Sequence, residues 1–184
     1  MISHISENIQ KPDQAINDSD QVIHHQVVIV GGGTAGISVA ARLTRGWSNQ
    51  LDVVIVDPSD SHYYQPAWTL FRRENTRRDE ASVIPRKAKW IRDAVVKFEP
   101  QQNCLRTRDG KSIQYDYLVV CAGIQIQWDD VKGLKENLGH AGICSNYSFE
   151  SVGSTWDNIS HFKGGTAIFT QPVTGIKCGG APQR

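Results

Sequence analysis

Two groups of residues in this 184-residue chain have types and spacings that could do chemistry. The first is Gly31, Gly33 and Gly36, a G-x-G-x-x-G spacing within "QVVIVGGGTAGISVAARL", with Asp57 ending the next apolar run, "LDVVIVD". The second is Cys178, set behind Lys177 in the small-residue stretch "TQPVTGIKCGGAPQR". The glycine spacing suits a dinucleotide. Gly31 lets a strand turn sharply, Gly33 lets a pyrophosphate approach the backbone, and Gly36 lets the following helix pack on the strand. Thr34 and Ala35 fall at the start of that helix, where free N–H groups and the positive dipole end favour phosphate. Asp57, followed by Pro58, lies about 20 residues beyond the last glycine, where an acid binds a ribose hydroxyl. An acid there argues against a 2′-phosphate, so FAD or NAD is favoured over NADP. For Cys178 the reactive species is the thiolate, which a nearby ammonium such as that of Lys177 would promote. Taken alone, that loop allows a buried thiol as readily as a redox centre.

The elements that must hold these residues are legible from pattern. A strand is expected over about Gln26 to Val30, then an Ala-rich helix, then the strand that ends at Asp57. "PSDSHYYQPAWTL" reads as an aromatic loop, and "FRRENTRRDE" as a solvated charge run. "WIRDAVVKFEPQQNCLRTRDGKSIQYDYLVVCAG" reads as several strands with a turn at Asp109-Gly110, its last run a buried strand. "SFESVGSTWDNISHF" has a helical pattern, with Ser148 as N-cap and Lys163-Gly164-Gly165 as the stop. "TAIFTQ" is expected to be a buried strand. The fold class is therefore α/β: a Rossmann-like domain whose parallel sheet carries an antiparallel insertion, plus the first strand of a second dinucleotide-type domain. The division expected is a flexible tail over 1–25, the first domain over 26–145, and a connecting helix with the start of the second domain over 146–184.

Composition narrows the function classes. The 20 basic and 19 acidic side chains give a net charge of +1, without the basic excess of a nucleic-acid binder. No apolar run approaches the ~20 residues that span a bilayer. The polar tail lacks the features of a secretory signal or a mitochondrial presequence, which suggests cytosolic synthesis and makes the two N-x-S matches at Asn146 and Asn158 chance ones. His24-His25 is read as polar tail and not as a metal site. No metal centre is expected. Cys104, Cys121 and Cys144 show neither C-x-x-C nor zinc spacing and are read as structural thiols.

At the level of motifs the chain resembles the N-terminal part of a sulfide:quinone oxidoreductase, nearest the branch that includes the mitochondrial enzymes. The resemblance is carried by "VVIVGGGTAGISVAARL", "HYYQPAWTL", "ASVIP", "YDYLVVCAGIQI", "GICSNYS" and "TQPVTGIKCGGAPQR", in order over roughly residues 26–184. It implies a peripheral membrane flavoenzyme that oxidises hydrogen sulfide through a cysteine pair, passes electrons to FAD, and reduces a membrane quinone. It implies that Gly31, Gly33, Gly36 and Asp57 hold the FAD pyrophosphate and ribose, and that Gln65, Pro66 and Trp68 lie near the flavin. Ala122-Gly123 would end the strand beneath the cofactor, and Cys178 would be the flavin-proximal redox cysteine. No cysteine neighbours "YYQP", so the FAD is expected to be non-covalent. The expected location is the inner face of a bacterial membrane. Family members run to more than twice this length, so the second redox cysteine and the quinone region are expected outside this chain, which alone would not be competent. Two other readings are a related NADH dehydrogenase, disfavoured because "PVTGIKCGGAP" lacks a second glycine motif, and a non-catalytic remnant.

Overall fold

The computed structural model describes residues 22–46, 51–70 and 76–170. Strand β1 (Val22–Val30) is followed by helix α1 (Thr34–Gly46) and β2 (Val53–Val56). A small hairpin comes next, β3 (Ser61–Tyr63) with β4 (Arg77–Asp79), and between them a 3-10 turn at Gln65–Leu70. The one-turn helix α2 (Glu80–Val83) leads into β5 (Lys89–Ile91), β6 (Val95–Glu99), β7 (Cys104–Thr107) and β8 (Ser112–Val120). After these come the short α3 (Leu134–Asn137) and α4 (Val152–His161).

Six strands make one sheet in the order β5-β2-β1-β8-β7-β6. The first four are mutually parallel, and β7 and β6 are antiparallel to their neighbours. This is the expected α/β class, a parallel Rossmann-like sheet with an antiparallel addition. The chain passes from β1 to β2 on one side of the sheet and comes back as β8 on the other. The carboxyl ends of β1, β2 and β8 therefore frame a switch point, the place where open α/β sheets bind ligands.

Central strands buried on both faces explain why "QVVIV" and "DVVIV" are continuously apolar and do not alternate. Val28, Val30, Val54 and Val56 pack on one face with Leu105, Ile113 and Tyr115. Val27, Ile29, Val53 and Ile55 pack on the other face against Ala40, with Ile37 and Leu43 of α1 around them. The turn at Asp109-Gly110 is present, with Gly110 in the left-handed region at φ +85°.

Several sequence expectations are corrected. β1 begins at Val22 and not at Gln26, so residues 22–25 belong to the sheet and not to the tail. The cause is pairing: β8 runs alongside from Ser112, and Val22 through His25 match Ser112 through Tyr115. His25, expected in a polar tail, is buried and lies 2.8 Å from Asp52 Oδ2. β8 is buried only in its first half; Tyr117 and Val120 are exposed. Part of the charge run is also structured, since Arg77–Asp79 form β4 and Glu80 is buried. Ser148 caps a turn before the helix: its Oγ accepts from the Ser151 N–H at 3.0 Å, and α4 starts at Val152. Finally, residues 166–170 form no strand, and Ile168 and Phe169 are exposed. β propensity alone does not make a strand without a partner edge, and the described residues offer none there.

Candidate functional site

The site is built where β1 ends. Gly31 leaves the strand at φ +106°, and a Cβ at this position would collide with the Cys121 carbonyl oxygen. Three backbone bonds knit the neighbouring strand ends together: Gly31 N–H to Val56 O (2.9 Å), Cys121 N–H to Val30 O (2.7 Å), and Asp57 N–H to Ile91 O (3.1 Å). A Cβ at Gly36 would strike the carbonyl oxygen of Gly31, so α1 sits directly on the turn. Gly33 is different, because a Cβ there would meet nothing within 4 Å. Gly33, Thr34 and Ala35 are all exposed, and the N–H groups opening α1 lack intrahelical acceptors. Tight packing at Gly31 and Gly36 with an open face at Gly33 is what a backbone cradle for phosphate requires.

Asp57 follows β2, half-buried. Its Oδ2 accepts the Gly32 N–H at 2.6 Å and its Oδ1 accepts the Ser59 N–H at 2.7 Å. A carboxylate has about four lone-pair sites, so both oxygens retain capacity for a ligand hydroxyl. Pro58 is exposed beside it. Ala122 and Gly123 follow β8 and are exposed, with Gly123 at φ +74°. Thus the Gly31–Gly36 turn, Asp57 and Ala122-Gly123 converge on one edge.

The aromatic segment lies between β3 and β4. The 3-10 turn Gln65–Leu70 carries Trp68 inward, where it is 7% exposed. Its ring packs against Tyr63 and Phe149 at centroid distances of 6.1 Å and 6.4 Å, and Tyr63 meets Phe149 at 4.9 Å. Trp68 is thus a packing residue that ties the hairpin to the segment before α4. Gln65 is half-buried and Pro66 is exposed on the same turn. Cys178 and Lys177 lie outside the described residues.

Two residues of this edge were missed by sequence reasoning. Gly32 has no role in the motif spacing, yet a Cβ there would lie 2.5 Å from Glu80 Oε1 and 3.1 Å from Asp57 Cβ. Glu80 is 1% exposed, and its Oε1 has no hydrogen-bond partner among the described residues. Its Oε2 lies 3.4 Å from His62 Nδ1, which also lies 3.2 Å from Gly32 O. Burial, with the Asp57 and Asp79 carboxylates nearby, pushes the Glu80 carboxyl up to about 7. In the sequence, Asp79 and Glu80 both fall in "FRRENTRRDE", read as a solvated charge run, and Asp79 does stay exposed, capping α2 by accepting from the Ala81 N–H at 2.9 Å. No local signal distinguishes the buried acid from the exposed one.

The thiols of Cys104, Cys121 and Cys144 are free, with Cys104 buried in β7. Among the described residues no cluster could hold a metal ion, and no helix is long and apolar enough to cross a membrane.

Comparisons with known proteins agree with this geometry. The family model for pyridine nucleotide-disulphide oxidoreductases matches residues 25–151. The mitochondrial sulfide:quinone oxidoreductase of Dictyostelium discoideum is 52% identical over 165 residues, covering 86% of this chain and 36% of that protein. Its counterpart in Mus musculus is 43% identical, covering 88% of this chain and 37% of that protein. The crystal structure of the sulfide:quinone oxidoreductase from Aquifex aeolicus superposes with a TM-score of 0.61 at 24% identity, over 75% of this chain and 32% of that one, and shows the common fold. The chain thus spans little more than a third of the length of the curated relatives it matches. Its resemblance to sulfide:quinone oxidoreductases is upheld by those identities, and the chain belongs to the pyridine nucleotide-disulphide oxidoreductase family.

Proposed function

We propose that this chain forms the FAD-binding part of a sulfide:quinone oxidoreductase. The observation that carries the reading is the Gly31–Gly36 turn: closed by packing at Gly31 and Gly36, open at Gly33, with Asp57 beside it. Within that reading the N–H groups of the turn and of the start of α1 hold the pyrophosphate, and Asp57 takes a ribose hydroxyl. Ala122-Gly123 supply a floor of small residues at the end of β8. FAD, when bound, supplies a two-electron acceptor. The FAD is non-covalent in this proposal, since no cysteine lies near Gln65 and Pro66 to attach it.

Cys178 is proposed as the redox thiol that faces the flavin, its thiolate favoured by the adjacent Lys177 if the ammonium lies near the sulfur. The proposed substrates are hydrogen sulfide and a membrane quinone, with peripheral membrane contact supplied outside the described residues. Two matched relatives carry mitochondrial names, whereas the tail had suggested a bacterial inner membrane. A quinone-bearing membrane is common to both settings, and the proposal is confined to that.

The visible spectrum of the purified protein tests the reading. Near-stoichiometric flavin absorbance is expected of this chain. Protein that stays colourless after addition of FAD would instead favour a non-catalytic remnant.

A further inference from the structure

A buried carboxyl with an unpartnered oxygen is costly, and proteins retain few of them without a use. His25 and Asp93 are also buried and titratable, but both are partnered: His25 by Asp52, and Asp93 by the N–H groups of Ala94 and Asp109. Glu80 is the exception. Its Oε1 lies against Gly32, in the middle of the dinucleotide turn and next to the open Gly33.

We propose that Glu80 is a positioning residue beneath the dinucleotide turn, neutral where it packs against Gly32 beside the Asp57 carboxylate, and that nucleotide binding at this turn is coupled to a proton held on Glu80. The inference rests on the FAD reading above and deepens it.

The charged groups around Glu80 decide its state. From the connection after β2 come Asp57 and Asp60; the Asp60 carbonyl accepts the Glu80 N–H at 3.0 Å, and its carboxylate is paired with Arg92. From β3 comes His62, the one ion-pair contact of Glu80 among the described residues, at 3.4 Å. From β4 come Arg77, bonded to Ser61 Oγ at 3.0 Å, the exposed Arg78, and Asp79, which caps α2. The first turn of α1 carries no acidic residue. Asp57 and Asp79 both oppose ionisation of Glu80. A pyrophosphate at this turn brings two more negative charges close to Gly32. Like charges in a partly buried site repel far more strongly than in water. The bound state therefore favours the protonated carboxyl. Above the pH at which Glu80 loses its proton, binding must draw one from solvent.

The test is FAD titration into flavin-stripped protein between about pH 6 and about pH 8.5, on wild type and Glu80→Gln. Linkage predicts that the wild-type Kd weakens by up to about tenfold per pH unit above 7, and that the glutamine variant is flat. Calorimetry of the wild type in buffers of different ionisation enthalpy should show uptake approaching about one proton per FAD at the alkaline end. That measurement decides the matter even where the variant fails to fold. A pH-independent wild-type Kd without proton uptake, or a glutamine variant that keeps the wild-type slope, overturns the proposal and leaves the FAD reading intact. No FAD binding at any pH overturns both.

Discussion

The two ends of the sheet each hold a histidine beside a carboxylate, and they treat the charge differently. At the amino end of the parallel strands, Asp52 meets His25 Nδ1 at 2.8 Å and Lys89 Nζ at 2.8 Å. Burial disfavours its charge, but the hydrogen bonds from Lys89 and His25 prevail and hold its carboxyl below the usual range. At the carboxyl end, Glu80 has only the longer approach of His62, an orphaned oxygen, and two more acids close by. The first arrangement satisfies its groups and anchors β1 to the start of β2. The second leaves a group unsatisfied beside the turn proposed to bind nucleotide. Unfavourable electrostatics collecting at one end only is what a working site produces, since stability is given up where charge must be handled.

The largest effect should come from backbone packing at the carboxyl end. Gly36→Ala drives a Cβ into the Gly31 carbonyl, which neither α1 nor β1 can yield without dismantling the core. A loss of roughly 3 kcal/mol or more is expected, with flavin retention abolished, as read by denaturant melts and absorbance. An alanine variant with wild-type melting would show that the turn is not locked as described.

Next comes Glu80→Met, which should raise stability. The folded-state pKa of Glu80 is pushed up to about 7 from the usual 4.5, so the native state binds more protons than the unfolded state between those values. Its stability therefore falls as pH rises from about 4.5 to 7 and is flat above. Methionine has no proton to hold, so the variant should gain about 1–3 kcal/mol at pH 8 and less toward pH 5. Equal gains at both pH values would point to packing and not to charge.

Much of this fold was legible because one periodicity governs each element. The runs "QVVIV" and "DVVIV" are apolar throughout because both faces are covered, and Gly31 and Gly36 mark collisions that any Cβ would cause. Asp57 was legible for a similar reason, being at a fixed distance from the motif. What escaped was set by partners distant in sequence. Residues 22–25 look polar, and only pairing with β8 makes them strand. Glu80 is surrounded by Arg77, Arg78 and Asp79, all exposed, so its burial arises from the hairpin folding over Gly32 and from nothing in its own neighbourhood. "TAIFTQ" has strand composition, but a strand needs an edge, and composition cannot supply one.

Two smaller effects would sharpen the contrast between the ends. Asp52→Asn removes a charge that is stabilised in the folded state, so the loss should be present at neutral pH and fade on acidification through the lowered folded pKa. Because Asp52 is one-third exposed, solvent screening limits the loss to about 1 kcal/mol. Chemical denaturation at pH 7 and near pH 3 would read it; a loss that grows in acid would contradict the pairing.

Gly33→Ala should be the mildest change for the fold and among the worst for the ligand. A methyl group there meets no protein atom within 4 Å, and Gly33 lies outside the left-handed region that favours glycine. The melting curve should therefore move by no more than about 0.5 kcal/mol. The same methyl projects into the open face where a pyrophosphate would approach the backbone, so FAD affinity should fall by an order of magnitude or more. Gly36→Ala and Gly33→Ala thus separate two roles within one motif: the first breaks the fold and loses the flavin with it, the second keeps the fold and loses the flavin alone. Equal destabilisation by both would mean that the motif is only a packing device, and the case for a nucleotide at this end of the sheet would fall with that result.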